Sequence, residues 1–559
     1  MTVNPVRVLP FSLLAVIACS GGSSPHITTC TTAGDTVTLA AWQYASIDPA
    51  GGNGCTVYPA AGGSGAQYLL VPQITTGTPG QQTGYRLVGD TLVPAPSAPV
   101  PAAARISAAQ QFHDYLRLGD QNRSWGFAPE AGAASRPRLS ATGSPPGVGT
   151  LRHFKVCAKV DCSKFDDVFA RVRALASKVA IYVDTLAPAG GLDSAQLDSL
   201  AQQFDTTLYA VDTAAFGRES DIDSNSVVLV LMTNTVNKLV TASSCVSSGF
   251  VAGFFFGADL DPAFKNDSRS NKGEVFYSIV ADPAGTLSCT HSQQEVEAFV
   301  PVTFIHEFQH MISFGQHVLA RGGTGEVLWL NEGLSHYAEE LGGRRFELAP
   351  AAKLTDCTIG TITCRFYAGD LLDAYTYLDS TGSHFLEATA GIGTLAERGA
   401  DWLFVRYLVD RYAAGSTLAD WNTFTRSMEQ TTQTGAQNIA AVTGTPFATV
   451  VSRWALANYA TDNGSAPPEL TYNSWDLHSV FSSLHTQRPT LFPKFYPLVP
   501  TSSAGSAVNL SGTLRAGSAV YHFAVQNPGD PGFTLSFTQP NGALINAVLG
   551  PRLNVLRIQ

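Results

Sequence analysis

Apolar and polar positions alternate over short distances at both ends of the chain, and the middle changes to a helical period. Over residues 27 to about 100, β-prone runs at 36–42, 67–72 and 85–88 are separated by turns such as Pro49-Ala50-Gly51-Gly52-Asn53-Gly54, which predicts a small β-sandwich at 27–105. The C-terminal end returns to the same rhythm at 507–514, 520–525, 533–537 and 545–549, broken by Pro528-Gly529-Asp530 and Pro540-Asn541-Gly542. A second sandwich is expected there, in a 468–559 unit that begins with a crossover.

Between these ends, 106–119 reads as one helix, and the Pro/Ala/Gly/Ser-rich stretch that follows, including Ser144-Pro145-Pro146-Gly147, predicts a linker, giving a 106–149 connection. Strand-like runs at 179–183, 227–232, 250–256 and 274–280 surround a helix at 194–209, and from 292 to about 460 helices dominate. The expected fold class is multidomain α+β: a 150–467 domain with a mixed sheet and a helical lobe, flanked by the two small β-sandwiches. At 559 residues the chain is too long for one core, and no repeat of fixed period is present.

The N-terminus changes the picture of where the protein resides. Arg7 precedes an apolar stretch at 8–18, interrupted only by Pro10 and Ser12, and then Cys19. That layout predicts a signal peptide at 1–19, too short to span a bilayer. Val16-Ile17-Ala18-Cys19 resembles the lipobox of bacterial lipoproteins, which implies lipidation at Cys19, a Ser/Gly-rich tether at 20–26, and a cell-membrane or outer-membrane location facing the periplasm or the exterior. The eight remaining cysteines suit an oxidising compartment. Chain order predicts disulfides between Cys30 and Cys55, Cys157 and Cys162, Cys245 and Cys289, and Cys357 and Cys364. A formal charge of -10, from 44 acidic against 34 basic residues and without a Lys/Arg run, argues against nucleic acid as a partner.

The chemistry concentrates in Phe304-Ile305-His306-Glu307-Phe308-Gln309-His310-Met311-Ile312. On a helix, His306 and His310 share one face a turn apart while the apolar residues occupy the other arc. Two imidazoles so placed reach one Zn²⁺, and Glu307 can address a water on it. Ser292-Gln293-Gln294-Glu295 predicts a capping box at the start of this helix. A second helix, beginning near Trp329, has Leu330, Leu334, Ala338 and Leu341 on its buried stripe, leaving Glu332, His336 and Glu339 together opposite it. His317 is a poor third ligand: Ser313 stands where a helix-breaking Gly is required, and His317 falls two turns, about 10 Å, beyond His310.

These two segments, His306 to Ile312 and Trp329-Leu330-Asn331-Glu332-Gly333-Leu334-Ser335, resemble the gluzincin peptidases, most closely the hyicolysin family of secreted bacterial metallopeptidases. The resemblance runs over about 165–460 in order of elements, including Ser220-Asp221-Ile222-Asp223 before an apolar strand, and is specific over 302–342. It implies a thermolysin-like catalytic domain, one Zn²⁺ per chain held by His306, His310 and Glu332, and Glu307 as general base. Glu339 is expected to steady a ligand imidazole, and His336 to lie beside the ligands. Tyr337, Tyr375, Tyr377 and His384 are candidate oxyanion donors. Ca²⁺ at the Asp-rich turn near Asp221 and Asp223 is left open. The function expected is a zinc-dependent endopeptidase acting on extracellular protein or peptide, glycosylated protein being one substrate class. A surface-anchored adhesin with a degenerate peptidase unit is the alternative, against which the retained Glu307 argues.

Overall fold

The computed structural model describes residues 30, 34–90, 106–130, 144–388 and 391–559. The expected signal peptide, Cys19 and the tether lie outside them, as does 131–143 of the expected linker.

Among the described residues, five strands come first, β1 (Asp35–Thr36), β2 (Tyr44–Ile47), β3 (Cys55–Tyr58), β4 (Ala66–Ile74) and β5 (Gln82–Val88), and then α1 (Ala108–Asn122). A second strand group follows: β6 (Leu151–Cys157), β7 (Phe165–Leu175) and β8 (Val179–Asp184). After α2 (Ser194–Gln203) and α3 (Tyr209–Phe216) come β9 (Val228–Met232), the short helices α4 (Asn234–Asn237) and α5 (Ala242–Ser248), β10 (Gly253–Phe255) and β11 (Val275–Ser278). The helical half comprises α6 (Gln293–Phe314), α7 (Leu328–Arg344), α8 (Ile362–Asp379), α9 (Leu395–Tyr412), α10 (Leu418–Glu429), α11 (Gly435–Thr443), α12 (Phe447–Ala460) and α13 (Leu477–Gln487). Five strands close the chain: β12 (Thr501–Ala504), β13 (Asn509–Arg515), β14 (His522–Gln526), β15 (Phe533–Thr538) and β16 (Pro551–Arg557).

The two β-rich ends are not two sandwiches. Their strands interleave in one, with sheet orders β1-β3-β15-β5-β13 and β12-β14-β4-β16-β2. This corrects the division into separate 27–105 and 468–559 β-domains. The physical reason lies in β4, which is buried along almost its whole length and needs a partner on each edge; β14 and β16 supply them, pairing Leu70 with His522 and Leu69 with Leu556. Few local strands cannot bury both faces of such a segment. A shared core including Tyr58, Leu70, Leu87, Leu535 and Val555 fills the space between the sheets.

Local strand boundaries also differ. Of the expected 36–42 run only Thr36 is in strand, and 545–549 contains a short 3-10 turn at Ala547–Leu549 ahead of β16. The helix expected at 194–209 is α2, a π-turn at Phe204–Leu208, and α3. Strands β6 and β7 went unpredicted, although β7 alternates cleanly: Val168, Ala170, Val172 and Ala174 are buried while Phe169, Arg171 and Arg173 face out.

The central sheet has the order β10-β11-β9-β8-β7-β6. Its middle strands β11, β9 and β8 are parallel, and β10 forms an antiparallel edge. All five residues of β9 are buried, as befits a strand covered on both faces. One apolar cluster joins this sheet to α6, α7 and α9. Disulfides join Cys30 to Cys55, Cys157 to Cys162, Cys245 to Cys289 and Cys357 to Cys364. No described helix is long and apolar enough to cross a membrane.

Because β3, β4 and β5 depend on C-terminal partners, a 34–90 fragment expressed alone is expected to show no cooperative unfolding and poorly dispersed amide resonances; a dispersed spectrum would contradict the shared sandwich.

Candidate metal centre

Helix α6 starts where the sequence places it: Ser292 Oγ accepts from Glu295 N while Glu295 Oε2 accepts from Ser292 N, closing a capping box. Its second half lies wholly inside the protein, between the central sheet and the helical half. Phe304 stacks on Phe204 and Phe308, and Ile305, Met311 and Ile312 are fully buried. That packing turns His306 and His310 toward α7.

Helix α7 is buried along its entire length, and two features hold it. At Gly333 a Cβ would stand 2.8 Å from the Asp401 carbonyl oxygen and from Val405 Cγ2, so only glycine allows this approach to α9. Behind it, Glu340 accepts from Arg406 Nη1 (3.1 Å), Trp402 Nε1 (3.0 Å), Trp475 Nε1 (2.9 Å) and the Arg344 guanidinium. This buried, fully engaged carboxylate pins one side of α7 and presents Glu332 on the other.

Three donors converge between the helices. His306 Nε2 and His310 Nε2 are 3.1 Å apart, His310 Nε2 is 3.4 Å from Glu332 Oε1, and His306 Nε2 is 3.7 Å from Glu332 Oε2. Ligands about 2.0–2.1 Å from a tetrahedral zinc lie about 3.3 Å from one another, so the set fits that ion. Glu332 Oε2 is buried without a hydrogen-bond partner among the described residues, which suits a carboxylate oxygen that binds a cation. The distal nitrogens are held as ligand imidazoles require: His306 Nδ1 lies 2.7 Å from Glu339 Oε1, and His310 Nδ1 3.1 Å from Asn331 Oδ1. Burial pushes His310 down to about 3 and also lowers His306, favouring neutral rings. Glu332 sits well below its ordinary range; burial would raise it, but the hydrogen bond with His310 prevails.

His336 shares this face without duplicating a ligand. Its Nδ1 stands 2.8 Å from Asp370 Oδ1 and 3.1 Å from Glu339 Oε1, while Nε2 is 4.0 Å from Glu332 Oε2. Burial would lower it, yet the charges of Glu339 and Asp370 raise it well above its ordinary value. His317 lies elsewhere: after α6 the chain enters a π-turn at Gly315–Leu319, and His317 Nε2 meets Glu429 Oε2 at 3.3 Å.

Glu307 is 1% exposed. Its Oε2 accepts from Phe255 N (2.9 Å) and from Arg117 Nη2 (3.3 Å), and Oε1 lies 3.8 Å from His113 Nδ1. Burial pushes Glu307 up to about 7 against the opposing charge of Arg117. His113 and Arg117 belong to α1, which was expected to be part of a connection rather than of the site. The helix is fastened to both walls: Arg117 Nη2 donates to Phe255 O on β10, and Gln110 Nε2 donates to Gly393 O just before α9. Its buried Phe112 and Leu116 were legible as an apolar stripe, but nothing local links that stripe to residue 307.

The four expected oxyanion donors are committed elsewhere. Tyr337 OH meets Arg406 Nη1, Tyr375 OH bonds the Lys494 backbone, Tyr377 OH bonds Ser518 Oγ, and His384 Nε2 bonds Ser380 Oγ. Tyr337 is one residue from His336, and on a helix that step of about 100° carries it to the far side of α7.

No protein-family model matches the chain. Among characterised proteins it is similar to the neutral metalloprotease ShpI of Staphylococcus hyicus, with 26% identity over 147 residues. That match covers 26% of this chain and 31% of the relative, so the chain matches about a third of that protein's length. The likeness supports a relationship to metallopeptidases and, with the His/Glu groups of the site, a metal.

Two outcomes follow from this geometry. Glu339→Gln is expected to weaken zinc binding about 10- to 100-fold, read by competition with a chromogenic chelator. Glu340→Ala, which leaves the buried Arg344 guanidinium without its carboxylate and Arg406 with Asp410 alone, is expected to cost about 3–5 kcal/mol in denaturant unfolding.

Proposed function

We propose that this protein is a zinc-dependent endopeptidase, with His306, His310 and Glu332 holding the metal and Glu307 acting as general base. The observation that carries this reading is the convergence of three donors within 3.1–3.7 Å, one carboxylate oxygen unpartnered, beside a separate buried carboxylate. Two histidines and one glutamate leave a tetrahedral ion one position for water or substrate, the composition of catalytic rather than structural sites. A zinc ion held by these three residues would supply Lewis-acid polarisation and make a water ionisable near neutral pH.

The remaining steps belong to the chain. Phe255 N and Arg117 engage Glu307 Oε2 and fix the carboxylate's orientation, leaving Oε1 to take the proton of the attacking water and pass it to the leaving amine nitrogen. His113, beside Oε1, is the side chain placed to donate to a developing oxyanion in the stead of the four candidates engaged elsewhere. The same reading extends to a gluzincin similar to the hyicolysins, with a thermolysin-like catalytic domain; the Glu donor on the second helix and the antiparallel edge strand β10 support it. It includes extracellular protein as substrate and export with a lipid anchor at Cys19, supported by the four disulfides, which persist in oxidising compartments.

The test compares zinc content and casein hydrolysis of the protein from residue 20 onward with those of Glu307→Gln. About one zinc per chain in both, with activity at least about 100-fold lower in the variant, is the expected result. A parent without zinc overturns the metal centre; a zinc-loaded parent that cleaves no protein or glycoprotein in a panel points to a binding lipoprotein instead.

A further inference from the structure

A second set of oxygen donors gathers where α3 passes to β9, at the turn whose Asp221 and Asp223 stood out in the sequence. The structure adds a member from a distant segment: Glu274, immediately before β11. One carboxylate oxygen from each of Asp221, Asp223 and Glu274 lies within 4.8 Å of the others. Asp221 is exposed, Asp223 half-buried, and Glu274 only 1% exposed. Glu274 Oε1 accepts from Ser220 Oγ (2.6 Å) and Ile222 N (3.0 Å), whereas Oε2 is buried with no hydrogen-bond partner among the described residues.

A buried carboxylate oxygen without such a partner, on a side chain that clusters with two more carboxylates, is expensive unless a cation joins them. Arg152 does not complete the set: its Nη1 stands 3.8 Å from Asp223 Oδ2 while Nη2 donates to Asn271 O at 2.7 Å. Asp223 is otherwise bonded by Asn225 through Nδ2 (2.8 Å) and the backbone N (3.2 Å), and Asp221 Oδ1 by Ser226 N (3.1 Å).

We propose that Asp221, Asp223 and Glu274 form a structural Ca²⁺ site, separate from the zinc centre. The donor set is all oxygen, which selects a hard cation. Carboxylates drawn from two separate segments suit Ca²⁺, which accepts flexible, irregular oxygen shells, whereas Mg²⁺ demands near-octahedral order and gives up its waters reluctantly. The ion ties the 217–227 loop to the start of β11, which Leu229 N already bonds through Glu274 O at 2.8 Å. That loop in turn receives the end of the zinc-site helix, Gln316 Nε2 donating to Arg218 O. Ca²⁺ here would therefore steady the segment on which α6 ends, without touching the reacting atoms.

The experiment uses the zinc-loaded protein in chelator-free buffer, titrated with CaCl₂ by calorimetry and by thermal unfolding. One Ca²⁺ per chain and a rise in melting temperature of about 2–4 °C are expected, with a smaller rise for MgCl₂. Asp221→Asn, at an exposed position that tolerates the change, and Glu274→Gln should each weaken Ca²⁺ binding about 10-fold or more while zinc content stays at the parent value. Absence of heat and of any melting shift up to about 10 mM Ca²⁺ overturns the site. So does a shift that persists undiminished in Asp221→Asn, which places the ion elsewhere, or an equal response to Mg²⁺, which removes the calcium assignment. Zinc content and melting temperature are independent readouts, so failure here leaves the peptidase reading intact.

Discussion

Two imidazoles and a carboxylate lie buried within 4 Å of one another between α6 and α7, and that arrangement constrains the whole central part of the molecule. Burying such a set is costly unless opposing charge meets the carboxylate, and its geometry holds only if the surrounding structure prevents the donors from swinging into separate hydrogen bonds. The helices meet that demand by packing: α6 is locked by stacked aromatic rings on its sheet-facing side, and α7 approaches α9 at a glycine. Donor positions are therefore inherited from apolar contacts several ångströms away.

The charged groups are sorted by the same logic. Glu339 stands between His306 and His336, is held below its ordinary range by the charge of His336 despite its burial, and keeps the His306 ring oriented. Glu340, next in sequence, points the other way into Arg344, Arg406 and two tryptophans. Consecutive glutamates on one helix thus serve opposite faces, one the candidate metal centre and one the helix's anchorage. Each is buried, and each is accompanied by enough positive partners to remain ionised.

Helix α1 and the sandwich show how remote chain segments are drawn into a compact whole. Arg117 crosses from α1 to Glu307, and Asp120 Oδ1 accepts from Gly257 N beyond β10. The sandwich is joined to the helical half through its own polar contacts, Tyr521 OH donating to Ala455 O and Gln73 Nε2 to Val451 O. The calcium site would act similarly, tying a loop to a strand about fifty residues on.

Much of the centre could be read along the chain because its parts are local. The His306/His310 pair and the Glu332/His336/Glu339 face follow from the 3.6-residue period, and the disulfide couples from proximity in sequence. The strands of the central sheet at β8, β9 and β11 were visible as apolar runs for the same reason. What the period cannot carry is any relation between segments far apart. The pairing of β4 with β14 and β16, the arrival of Arg117 and His113 beside Glu307, the turning of Tyr337 toward Arg406, and the addition of Glu274 to Asp221 and Asp223 all join residues through packing. The sequence by itself determined which faces were chemical and which apolar. Only the tertiary structure decided which faces meet, because that choice minimises the exposed apolar surface of the whole chain at once rather than of any one element.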